Sequence, residues 1–228
     1  MADLAFADID VRNNKNVRKA LRGGLWLAPE TADPIETLTV DSTVTPGTPT
    51  LAALPATYYG LGWINDAGAV FAEAIATSDI NGWGGTEPVR RDITSDVTTV
   101  QVVGLETTKN TLATWYGVDP ASIVPDATTG EVSILRASTP QDVYYRALVL
   151  GVDGPVGAEI YVAKFLPRVS ISAKGGQTFS MGSDTGISYD MTFTAFLDNE
   201  VGTSERFLAG GKGWLSALAD MGFATGGA

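Results

Sequence analysis

The sequence predicts a mainly β chain, two packed antiparallel sheets with one flanking α-helix, and three observations carry that prediction. Runs rich in β-branched and aromatic residues recur along the 228 residues, separated by clusters of Gly, Pro, Asn and Asp. One run alternates cleanly, with Tyr189, Met191, Phe193 and Ala195 opposing Asp190, Thr192 and Thr194. One segment carries both ends of a helix: Thr107 or Thr108 accepts from its first free N–H groups, and Gly117 supplies the left-handed stop. Hairpin, helix, then hairpins is an order that suits two sheets packed face to face.

In chain order, residues 1–16 are polar and rich in asparagine (Asn13, Asn14, Asn16) and read as an extended arm. The main domain follows over 17–198. Val17–Leu27 mixes helical spacing at Val17, Ala20 and Leu21 with Gly23-Gly24-Leu25-Trp26-Leu27, and is read as a strand. A long Thr/Pro loop, 29–57, holds five of the 11 prolines, and a connection of that length is functional or disordered. Leu38, Val40 and Val44 alternate with polar residues, so part of it suits a hairpin on an edge of this or another subunit. Tyr58–Ile64 is read as a core strand closed by a turn at Asn65–Gly68, with Ile80 and Trp83 as burial candidates beyond it.

Thr86–Gly117 reads as two strands, Val89–Ile93 and Val97–Leu105, joined by a turn at Thr94-Ser95-Asp96 and running into the helix. Leu112 and Trp115 or Tyr116 give that helix an apolar face. Val143–Val152 and Ile160–Leu166 form a hairpin through Asp153–Gly157, and Val169–Ala173 pairs with Ile187–Leu197 across a Gly/Ser-rich turn. Residues 199–228 are a C-terminal extension with a short helix at Trp214–Met221.

Inventory narrows the chemistry. With no Cys and no His, disulfides, thiol nucleophiles, zinc sites and an imidazole base are excluded, and no cofactor is expected. No apolar run reaches the roughly 18 residues of a membrane span, and the N-terminus carries Asp3, Asp8 and Asp10 where a secretory signal is positive, so a soluble, cytosolic product is expected. The net charge of −11 opposes direct binding to nucleic acid. Charge is also unevenly placed. Residues 11–22 hold Arg12, Lys15, Arg18, Lys19 and Arg22 without an acid, while the remainder holds 26 acids against 10 bases. Such a segment is a solvated face or a contact to an acidic neighbour.

Short matches to catalytic motifs are weak. Asp184-Thr185-Gly186 matches the aspartic-protease triplet but follows a polar loop where that site needs an apolar strand, and a hairpin turn is preferred. Gly60-x-Gly62 and Gly211-Lys212-Gly213 lack full phosphate-binding spacing and read as turn glycines. Asp8-x-Asp10 and Asp198-x-Glu200 are read as solvated surface rather than cation ligands.

The series V-R-K-A-L-R-G-G-L-W-L-A-P (17–29), the Thr/Pro loop, Y-G-L-G-W-I-N-D-A-G (59–68), W-G-G-T-E-P-V-R-R (83–91), V-V-G-L-E-T-T-K-N-T-L-A-T-W-Y-G (102–117), F-L-P-R-V-S-I-S (165–172) and I-S-Y-D-M-T-F-T-A-F (187–196) resembles the major tail tube proteins of long-tailed, non-contractile bacteriophages. The resemblance implies a β-sandwich or partial barrel and a structural, non-enzymatic role. It implies six copies closing into a ring, with rings stacked around an acidic lumen that passes DNA. It further implies tape measure protein inside the tube, terminator and tip proteins at its ends, and assembly in the host cytoplasm into a virion tail. Under it, Glu87, Asp92 and Asp96 are lumen candidates, and Arg12, Lys15, Arg18, Lys19 and Arg22 are candidates for contacts between subunits. The alternatives are another virion or contractile-system assembly protein and, from a different class, an acid-pair hydrolase.

Overall fold

Tyr189–Ala195 forms strand β9, and its alternation is met in space: Tyr189, Met191, Phe193 and Ala195 are buried while Asp190, Thr192 and Thr194 stay half-exposed. The computed structural model describes residues 10–139, 141–181 and 186–224. Around β9 lie β1 (Arg22–Pro29), β4 (Tyr59–Gly60), β5 (Val70–Asn81), β6 (Pro88–Gly104), β7 (Tyr144–Asp153), β8 (Ile160–Lys174) and β10 (Arg206–Gly210). These form one antiparallel eight-stranded sheet ordered β4-β1-β7-β8-β9-β6-β5, with β10 added beside β8. A small hairpin, β2 (Thr39–Asp41) with β3 (Pro49–Leu51), stands apart. The helices are α1 (Lys109–Tyr116) and α2 (Lys212–Ala217). The chain is therefore mainly β, as expected.

The large sheet rolls on itself. Past β4 the chain reaches β6 from the other end of the strand order: Ile64 bridges Gly104, Leu105 donates its N–H to the Trp63 carbonyl at 2.9 Å, and Asn65 donates to the Val103 carbonyl at 2.9 Å. The interior of this partial barrel is filled by Leu25, Leu27, Val100, Val102, Leu166, Met191 and Phe193. A second core lies outside it, where Ile35, Leu38 and Tyr58 cover Leu148, Leu150 and Phe165 of β7 and β8. Much of the Thr/Pro loop thus folds back on its own subunit. The Tyr58 hydroxyl donates to the Asp33 carbonyl at 2.9 Å.

Helix α1 closes one end of the barrel. Thr108 Oγ1 accepts from the Thr111 N–H at 3.2 Å, and Gly117 sits in the left-handed region at φ 70°. Trp115 meets Tyr189 edge-on at 5.6 Å, and Thr111 Oγ1 donates to the Leu61 carbonyl at 3.1 Å. The buried face runs through Thr111, Ala113, Thr114 and Trp115, while Tyr116 is exposed. Thr108→Ala is expected to lower stability by about 1 kcal/mol through the lost cap. Gly117→Ala, which forces a Cβ into a left-handed residue, is expected to cost about 1–2 kcal/mol. Urea titration with an unchanged m-value checks both.

Several expectations are corrected. Thr94-Ser95-Asp96 is not a turn: β6 runs unbroken through it because β5 pairs along its length, and Thr94 is absorbed as a bulge beside Ala76. Likewise Ile160–Leu166 and Val169–Ala173 are one strand, β8. Pro167 and Arg168 fall at a register shift opposite Arg146, where a bulge tolerates the missing proline N–H. The core strand at Tyr58–Ile64 shrinks to the two-residue β4, with Trp63 76% exposed. Val17–Leu21 is outside β1, and β10 lies where loop was expected. The C-terminal helix is Lys212–Ala217 rather than Trp214–Met221, and Gly213 belongs to it, packed on the Ala158 carbonyl. Among the described residues no helix is long and apolar enough to cross a membrane.

Candidate interaction surface

The sheet ends in a long two-stranded ribbon. Beyond the core, from Glu73 to Asn81 on β5 and from Pro88 to Asp96 on β6, every residue is exposed. A two-stranded hairpin is marginally stable alone in water, so a solvated ribbon of this length lacks its second layer. Its apolar side chains say the same: Ile75, Ile80, Val89 and Ile93 are each more than half exposed, and Trp83 at the tip is fully so. Ile80 and Trp83 were expected in the core, and the sequence misleads because β-branched and aromatic residues satisfy a partner's surface as well as their own. The outer edge of β5 pairs with no strand among the described residues, which leaves a row of free backbone donors and acceptors.

Register assigns the ribbon two faces of different chemistry. One continues the barrel interior from Phe71 and Val100 through Glu73, Ile75, Thr77 and Asp79, opposite Thr98, Asp96, Ile93 and Arg91. The other carries Val70, Ala72, Ala74, Ala76 and Ser78, opposite Gln101, Thr99, Val97, Ser95 and Asp92. Asp92 and Asp96, four apart, would share a face on a regular strand. The bulge at Thr94 places them on opposite faces. Glu87 lies in the connection at the tip. The structure therefore does not gather the three acids.

Both ribbon arginines are matched by acids. Arg90 Nε lies 3.0 Å from Asp92, and Arg91 pairs with Asp79 at 2.7 Å across the strands. The Arg91 hydrogen bond holds the Asp79 carboxyl below its usual pKa. On the inner face Glu73 reaches Lys164 at 3.8 Å. The outer face continues onto β9, where Asp190 accepts from Gln101 at 2.8 Å and Thr194 stands opposite Thr99. This is a wall of small, mostly uncharged polar side chains.

The basic segment is partly engaged within its own chain. Arg12 pairs with Asp10 at 2.6 Å, Lys15 approaches Asp220 at 3.9 Å, and Arg18 lies against the Lys15 carbonyl and Met221. Lys19 and Arg22, together with Arg18, line a groove of about 540 Å³ between β1, the turn Asn65–Gly68 and β8, walled by Leu21, Phe71, Val149 and Phe207.

Asp198 is not solvated surface. It is 5% exposed and lies 3.7 Å from the buried Arg146, which also holds Glu200. Asp184 and Thr185 of the aspartic-protease triplet, and Asp8, lie outside the described residues. Among the described residues no cluster of three acids suits a metal.

A family model described as phage tail tube protein matches residues 11–207. No curated protein matches the chain.

Proposed function

The chain belongs to the phage tail tube protein family, and from that premise we propose how its surfaces build the tube. The family makes it a structural, non-enzymatic component of the virion tail, which removes the acid-pair hydrolase reading. In the proposed assembly six copies close into a ring through the free edge of β5, and rings stack into a hollow tube of the non-contractile type. Closure removes the exposed edge, and stacking supplies the ribbon's missing layer. The observation that carries this reading is the ribbon, exposed on both faces and apolar in part. A closed soluble monomer has no use for it.

The lumen is assigned to the outer face of β5, β6 and β9, where Thr99, Gln101, Thr192 and Thr194 meet the passing DNA. Of the sequence's lumen candidates this keeps Asp92 and sets Asp96 on the opposite face, with Glu87 at the tip. With few cations on the wall, no phosphate is neutralised and the duplex does not adhere. Lys19 and Arg22 are assigned to contacts between subunits. The tube holds a tape measure protein before ejection and meets terminator and tip proteins at its ends. Assembly takes place in the host cytoplasm.

Negative-stain microscopy of the purified full chain tests the reading. Rings or hollow fibres are expected as concentration rises. Monomers or discrete trimers at every concentration would overturn it.

A further inference from the structure

We propose that the tip of the β5–β6 ribbon, with Trp83 at its head, docks in the groove beside Lys19 and Arg22 of a second copy of this chain. The inference rests on the tube reading and names the two surfaces that join.

The tip is built as a knob. Gly85 donates to the Gly82 carbonyl at 3.1 Å and Gly84 adopts φ 81°, so a tight turn presents Trp83 with its ring in solvent. Tryptophan at such a position is the residue type that dominates interfaces, since it buries a large area with little loss of freedom. Beside it stands Glu87, which has no ion pair among the described residues, whereas Asp79 and Asp92 are held by Arg91 and Arg90.

The groove is built as the matching hole. Its volume, about 540 Å³, lies within the range of clefts that enclose ring-bearing ligands, and its walls are apolar at Leu21, Phe71, Val149 and Phe207. Its charged lining holds four cations, Arg18, Lys19, Arg22 and Lys164, on a chain of net charge −11, with Asp66 and Asp153 among them. Lys164 is held by Glu73 and Glu205, whereas Lys19 and Arg22 make no ion pair among the described residues and stand to receive Glu87.

A chain cannot fill its own groove. Phe71 lines the groove at the ribbon's base and Trp83 sits at its far end, roughly 40 Å away at about 3.3 Å per residue. Knob and hole are therefore different patches on one molecule. Such a contact is heterologous, and repetition gives rings or open fibres rather than a closed dimer.

The chain has no cysteine, so introduced thiols report the contact directly. Thr86→Cys, beside the knob, and Leu21→Cys, on the groove wall, are mixed in equal amounts and oxidised with copper phenanthroline. A mixed disulfide dimer, in excess of what either variant gives alone, is the expected result. In parallel, Trp83→Ala is expected to raise the concentration needed for assembly by at least about tenfold, as befits loss of an interface hot spot. Glu87→Lys should weaken assembly, and Lys19→Glu with Arg22→Glu should restore it. Wild-type tubes accompanied by equal assembly of Trp83→Ala and no mixed disulfide would overturn the docking and leave the tube reading standing. Failure of wild-type protein to form rings or fibres would overturn the tube reading. In that event the mixed disulfide, measured on concentrated monomer, still decides the docking: formation supports it and absence overturns it.

Discussion

Replacing Arg146 by methionine is expected to lower the unfolding free energy by about 3–5 kcal/mol, the usual penalty for breaking one side of a buried charge cluster. For a chain of this size that amounts to a fall of roughly 10 °C in Tm. Arg146 is 2% exposed on the outer side of β7, facing the bulge of β8, and its guanidinium ties together three parts of the chain. Nε donates to the Glu30 carbonyl at 3.0 Å, Nη2 holds Glu200, and Nη1 stands 3.7 Å from Asp198 without a hydrogen bond. Asp198 in turn organises its own loop, accepting from the Glu200 and Val201 N–H groups at 2.8 and 2.9 Å. Methionine fills the space but leaves the Asp198 carboxylate buried and uncompensated. Asp198→Asn introduced together with Arg146→Met should recover part of the loss, because the orphaned charge is gone. Glu200→Ala, by contrast, should cost under about 1 kcal/mol, since Glu200 is 66% exposed. Thermal and urea unfolding of the three variants check the pattern. A loss below 1 kcal/mol for Arg146→Met would show that the cluster does not hold the Glu30 and Asp198 segments down.

That cluster also shows where sequence reasoning stops. Asp198 and Glu200 carry an ordinary surface pattern, and their partner lies 52 residues upstream of Asp198 near the start of a largely apolar strand, where no local rule places a guanidinium. Local signals fared better. The Thr108 and Gly117 caps, the β9 alternation and the Asp153–Gly157 hairpin follow from backbone chemistry within a few residues, and each stands in the structure. The misreadings share a different cause. Thr94–Asp96 and Pro167-Arg168 have turn composition, yet long cross-strand pairing overrides it and converts each into a bulge. Trp83, Ile80 and Ile93 have core composition, yet no core of this chain receives them. In the proposed tube they meet a second molecule, which a single sequence does not contain. The cationic stretch shows a mixture: its concentration was legible, whereas its division into Arg12 and Lys15, paired with Asp10 and Asp220, and Arg18, Lys19 and Arg22, which line the groove, depends on where residue 220 and the groove walls come to lie.

Lysines at Thr99, Thr192 and Thr194 are expected to leave tails assembled while holding the DNA back, the largest functional effect that the proposed wall predicts. All three are half-buried positions on the outer face of β6 and β9, with Thr99 directly opposite Thr194, so longer side chains extend into solvent without entering the core. Each ring repeats the substitution in every copy, and each lysine that neutralises a phosphate adds about 0.9 to the slope of log affinity against log salt. Ejection measured by release of a DNA-binding dye should slow at low salt and recover steeply as salt is raised. A block from distorted packing would not respond to salt in this way. Asp96→Lys makes the contrast, because it puts the same charge on the same ribbon but on the face that continues the barrel interior. It should eject at the wild-type rate, whereas Asp92→Lys should slow release in the same salt-dependent sense. Normal ejection from the triple-lysine particles together with slow ejection from Asp96→Lys would turn the wall around and place the Glu73 and Asp96 face in the channel.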